Sequence, residues 1–170
     1  MCPRHQFETE EIPKARARGW PTEIDFDAVQ GRVEGLYEKL RKIRDAEDGA
    51  REASVFWQAV MKEVRAMGSR AVAGVKGQFD NFERTQPGYY GEKGSMILHQ
   101  TLYNLFPPAA FDAESIAPLN PTTFIQQILV PEAALALIME DTGEDVAQAR
   151  RTMRESVTYG VTMFPDSGDG

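Results

Sequence analysis

The chain has 170 residues, 42% of them hydrophobic and 26% charged, which are globular values and enough for one domain with a buried core. Its net charge is −7 and its pI near 4.9, whereas a duplex-binding module more often carries a basic face. Cys2 is the only cysteine, so no disulfide forms within the chain, and a reducing compartment is expected.

Met1-Cys2-Pro3-Arg4-His5 leads into charged sequence without the apolar run of a secretory signal. Residues 1–24 show no period. Pro3, Pro13 and Pro21 predict an extended arm over the surface, held at least by Trp20, whose indole has much apolar area to bury. From Phe26, the residues Val29, Val33, Leu36, Tyr37, Leu40 and Ile43 recur at steps of three and four, one face of an amphipathic helix. Asp25 is placed to cap it. Gly31 and Gly35 weaken it by up to ~1 kcal/mol each and leave room for a close neighbour.

Asp48-Gly49 is a break. Val55, Phe56, Ala59, Val60, Val64 and Met67 make a second stripe, with Gly68 as its expected end. Ala71, Val72, Val75, Phe79 and Phe82 continue at helical spacing. Pro87-Gly88-Tyr89-Tyr90-Gly91 reads as a turn, and a helix from Gly94 carries Ile97, Leu98, Leu102, Leu105 and Phe106 up to Pro107-Pro108. Residues 107–121 form a proline-rich loop anchored by Phe111, Ile116 and Leu119. Thr122 or Thr123 opens the next helix. Pro131 suits a helix's first turn better than its interior, so it is expected to start a new one. That helix is apolar on every side from Ala133 to Met139, as in a buried centre, and too short there for the ~20 residues of a membrane span. Thr142-Gly143 ends it. Val146, Ala149, Met153, Val157, Gly160, Val161 and Phe164 give a last helix. The fold expected is all-α: a single compact bundle of about six or seven helices over residues 25–165, with an extended N-terminal arm over 1–24 and a disordered tail over 166–170.

Catalytic chemistry is thinly represented. The histidines are His5 and His99, and a thiol–imidazole pair would have to join Cys2 to His99. No Gly-x-Ser-x-Gly elbow is present. His99 borders an apolar face and reads as a boundary histidine; an enzyme would need a pocket gathering it with carboxylates and Tyr159. Gly91-Glu92-Lys93-Gly94-Ser95 and Gly74-Val75-Lys76-Gly77 lack the P-loop spacing, although amides before the Gly94 helix suit an anion. Glu132 sits well at a helix N-terminus, whereas Glu140 and Asp141 oppose the dipole at a C-terminus and call for cationic partners. Arg150, Arg151 and Arg154 are the candidates.

Binding is better represented. Tyr89, Tyr90 and Tyr159 are the candidate contact residues of a protein partner, because tyrosines on a rigid turn make strong anchors; the alternative is that they pack over helix ends. Arg41-Lys42-Arg44 and Arg150-Arg151-Arg154 are candidate basic patches for nucleic acid. Cys2-x-x-His5 is half of a tetrahedral zinc site. No catalytic residue and no cofactor is assigned to this chain.

Several stretches in order carry a resemblance: Cys2-x-x-His5; Gly19-Trp20-Pro21; Ile24-Asp25-Phe26; Arg32-Val33; Gly77-Gln78-Phe79-Asp80-Asn81-Phe82-Glu83; Pro87-Gly88-Tyr89-Tyr90-Gly91; Leu129-Val130-Pro131-Glu132-Ala133; Leu137-Ile138-Met139-Glu140-Asp141; and Glu155-Ser156-x-x-Tyr159-Gly160. Together they resemble the C-terminal domain of the fungal restriction of telomere capping protein family over residues 2–165. The resemblance implies a helical domain without known enzyme activity, in proteins tied to telomere capping and placed in nucleus and cytoplasm. It also implies a Cys-x-x-Cys upstream that would complete the zinc site in a longer protein, with Met1 cutting through it. The function expected is a non-catalytic interaction module in a telomere or chromatin setting. Direct nucleic-acid binding is the alternative, and an enzyme using His99 the second.

Overall fold

The apolar stripes become helices. The computed structural model describes residues 3–71 and 86–166, and among them every regular element is helical. The arm holds α1 (Pro3–Gln6), a π segment (Phe7–Glu11) and α2 (Ile12–Arg18). It is therefore helical and not extended. Pro13 lies in the first turn of α2, where its missing N–H costs nothing. Trp20 is buried, as its indole predicts.

The stripe from Phe26 divides into α3 (Phe26–Glu34) and α4 (Tyr37–Asp45). The Leu36 amide bonds the Val33 carbonyl three residues back, a tight turn that re-aims the chain at Gly35. Asp25 occupies the cap position of α3 without a side-chain bond. Ala46, Asp48 and Gly49 all take positive φ, so the Asp48-Gly49 break is real. After α5 (Ala50–Ala53), α6 runs Val55–Ala71 and does not stop at Gly68. The helix expected through Val72, Val75, Phe79 and Phe82, the Gly74–Gly77 loop and the Gly77–Glu83 motif lie outside the described residues.

A single turn at Gly88–Tyr90 leads into α7 (Gly91–Leu105), three residues before the Gly94 start expected. The loop that follows is pinned by buried Ile116 and Leu119, with α8 (Ala113–Ile116) capped by Asp112. Asn120 then caps α9 (Pro121–Phe124), accepting from the Thr123 amide at 2.8 Å. A π segment (Ile125–Leu129) joins α9 to α10 (Val130–Thr142), so Pro131 opens an α-helical segment while the helical path continues through it. The wider π turn lets the chain pass the proline ring without a break. Pro121–Thr142 is long and apolar enough to cross a membrane by length and composition, and 72% of its 18-residue apolar window is buried within the fold. Burial on every side accounts for that composition, and Val130 to Ile138 are buried without exception. Gly143, at φ 74°, ends α10 by donating to the Met139 carbonyl.

The last stripe also divides, into α11 (Val146–Glu155) and α12 (Val157–Met163), at the buried Ser156. These kinks and π segments leave more and shorter helical pieces than six or seven. The joint at α12 is where backbone meets backbone. A Cβ on Gly91 would strike the Gly160 carbonyl, and one on Gly160 would strike the Gly88 carbonyl. Gly91 also has φ 68°, a conformation that glycine adopts without strain.

Two alanine substitutions should therefore separate. Gly160→Ala has no room and should cost about 3 kcal/mol, lowering the thermal midpoint by roughly 10 °C. Gly31→Ala, whose Cβ meets nothing within 4 Å, should raise stability by about 0.5–1 kcal/mol. Thermal melts of the two variants check both signs.

Candidate functional site

The turn at Gly88–Tyr90 sets two tyrosine rings 5.0 Å apart, both only 1% exposed. Their hydroxyls converge on one carboxylate oxygen at the end of α10. Tyr89 donates to Asp141 Oδ2 at 2.7 Å, and Tyr90 donates to the same atom. Arg32 of α3 closes the cluster, donating to Asp141 Oδ1 at 2.8 Å and to the Tyr90 hydroxyl at 3.1 Å. Glu140 lies 3.8 Å from the same guanidinium. Burial, followed by the bond to Asp141, holds both phenols well above the ordinary tyrosine range, so they stay protonated donors.

This geometry corrects two expectations. Tyr89 and Tyr90 are interior groups, not partner contacts, because the glycine joint presses their turn onto α11 and α12. The partner of Glu140 and Asp141 is Arg32, not Arg150, Arg151 or Arg154. Inward-facing Ala149, Thr152, Met153 and Ser156 fix the orientation of α11, which leaves Arg151 and Arg154 exposed. Tyr159 is also buried, so it too is no surface contact. It donates to the Pro21 carbonyl at 2.8 Å and packs against Trp20 and Phe7, which ties the arm to α12. The three tyrosines thus serve two separate interior clusters.

His99 sits over a shallow cleft of about 300 Å³ with Gln86, Glu92, Ser95 and Asp166. Its Nδ1 lies 2.7 Å from the Ser95 carbonyl. Tyr159 is not among the residues that line that cleft. The anion cradle expected at Gly94 is replaced by helix, and the neighbouring Lys93 amide donates to the Phe164 carbonyl at 3.1 Å. His5 is exposed on α1, while Cys2 lies outside the described residues. No group of three or more His, Cys, Asp or Glu is gathered as for a metal among the described residues.

The two basic patches differ. Arg41 faces Glu38, Asp45 and Glu47 within 3.1 Å, Arg44 pairs with Asp45, and Lys42 lies 3.3 Å from Asp48. That patch is neutralised by its own neighbours. Arg150, Arg151 and Arg154 have no ion-pair partner among the described residues.

One further feature escaped the sequence reading. Between α4, α5, α10, α11 and the start of α6 lies a mostly apolar groove of about 280 Å³, lined by Ile43, Val55, Leu135, Met139 and Val146. Its floor holds Glu132, a buried carboxyl that accepts from Ser54 Oγ at 2.5 Å. Burial raises its pKa, against the opposing Ser54 bond and the charges of Lys39 and Arg150.

Two measurements follow from these clusters. Asp141→Asn should cost about 2–3 kcal/mol, less than for a fully buried pair because Arg32 and Asp141 keep 27% and 29% of their side-chain exposure; the thermal midpoint reads it. Glu132 is an acid raised on folding, so its contribution is complete below the ordinary carboxyl range and lost as pH rises through the folded value. Glu132→Gln should accordingly raise the thermal midpoint at pH 7.5, with the gain shrinking toward pH 4.

No curated protein and no solved structure matches the chain. The RTC4-like domain matches over residues 49–165, which takes in the Tyr89–Tyr90 turn, the Asp141 helix end and the Gly160 joint. That span is more than half of the chain, and the chain belongs to the RTC4-like domain family.

Proposed function

We propose that the chain is a non-catalytic interaction module that binds an acidic face of a partner protein. The observation that supports this reading is the α11 surface. Arg150, Arg151 and Arg154 lack an acidic partner among the described residues, in a chain whose net charge is −7. Unpaired guanidinium groups offer planar, bidentate recognition of carboxylates. The setting is the one that the family resemblance implies: telomere capping or chromatin, in nucleus and cytoplasm. The reading calls for no cofactor, and Cys2 with His5 is half of the four-ligand set that zinc takes.

The same arginines favour a second reading, direct nucleic-acid binding, because guanidinium groups serve phosphate as well as carboxylate. Salt separates the two. Phosphate contacts by three arginines would make affinity fall steeply with ionic strength. A mobility-shift titration that shows no complex at low salt disposes of this alternative.

The leading reading is tested by charge reversal. Arg150→Glu, Arg151→Glu and Arg154→Glu together should abolish capture of the partner from a nuclear extract. The thermal midpoint should move little, since surface changes stay within about 0.5 kcal/mol each. Undiminished capture would overturn the assignment of this face.

A further inference from the structure

The groove over Glu132 is the continuation of the arginine face. Val146, Arg150 and Arg154 follow one another at steps of four, so they share one side of α11. Val146 lines the groove, and Arg150 stands one turn further along the same side of α11. Lys39, exposed and without an ion pair among the described residues, lines the groove from α4. Lys42 stands beside it in an exposed pair with Asp48, of the kind worth little in water. An apolar trough is therefore flanked by cations on both sides.

Size and composition narrow the occupant. A groove of about 280 Å³ lies at or below the ~300–1,000 Å³ of small-molecule sites. It has room for an inserted side chain. Val146 is 43% exposed, one of two large apolar residues so exposed among those described. Covering it removes apolar surface from water, which favours an apolar occupant. The flanking cations favour carboxylates on either side of that occupant.

We propose that this groove docks an acidic peptide segment of a partner protein, which inserts an apolar side chain between Leu135, Met139 and Val146 and lays its carboxylates on Lys39 and Arg150. The proposal rests on the interaction reading above and deepens it. It assigns the anchor of the contact to the groove, with the arginines of α11 as its extension.

The probe is a fluorescein-labelled synthetic peptide alternating Asp and Glu with Leu and Phe, read by anisotropy against the whole chain. Two control peptides replace either the apolar residues by Ala or the acids by Lys. The acidic apolar peptide should bind, and each control should bind about tenfold more weakly or worse. Val146→Asp and, separately, Lys39→Glu should each weaken it about tenfold. Both positions are exposed, and an unchanged thermal midpoint verifies that each variant is folded. Equal binding of the alanine peptide would show charge alone and overturn the groove. So would indifference to Val146→Asp, or sedimentation showing that the groove is filled by a second copy of the chain. Partner capture that survives in Val146→Asp but is lost on reversing the arginines would sink the groove while leaving the interaction reading intact.

Discussion

The fold turns on a place where no side chain fits. The carbonyls of Gly88 and Gly160 each stand where a Cβ on the opposing glycine segment would be. That approach seats the Tyr89–Tyr90 turn on α11 and α12. Only a turn seated so deeply can pass both hydroxyls to Asp141. Asp141 in turn opposes the dipole of α10, whose C-terminal end carries partial negative charge. Two phenolic donors and the Arg32 guanidinium offset that penalty. The glycines thus make the close contact possible, and the polar cluster makes it specific, because an unmade bond in so buried a place leaves a costly orphan.

Much of this was legible in the sequence, and the boundary is instructive. The buried centre from Ala133 to Met139 announces itself by lacking any polar side. Gly143 announces the end of α10 because a left-handed cap needs glycine. The need of Glu140 and Asp141 for a cation was also readable from the dipole. Which cation was not: the arginines nearest in sequence sit on α11, whereas Arg32 lies more than a hundred residues away. One signal for it was present. Arg32 adjoins Val33 in the inward stripe of α3, an expensive position for a charge without a partner.

The tyrosines mislead for a related reason. Turns ordinarily lie at the surface, since their backbone groups need water. Pro87 to Gly91 looks like such a turn from its residues alone. Its burial depends on Gly160, seventy residues on, and local chemistry carries no trace of that pairing. The kinks at Gly35 and Ser156 are hidden in the same way, because periodicity of the apolar stripe runs straight through both. The groove over Glu132 was illegible for a third reason: its walls come from five helices that only the fold brings together.

The family match begins at residue 49, yet the interior does not. Val29 and Val33 of α3 and Leu40 of α4 are as buried as any residue of the matched span. Arg32 supplies the one guanidinium that reaches Asp141 among the described residues, and the Pro21 carbonyl takes the Tyr159 hydroxyl. A chain opening at residue 49 would leave the carboxylate with two phenols and no cation. It would also leave the inner faces of α7 and α10 without the helix that covers them. The groove would lose Lys39, Lys42 and Ile43, its α4 side. Arm, α3 and α4 therefore pack into the same interior as the matched helices, and the docking face proposed for this chain takes one side from α4.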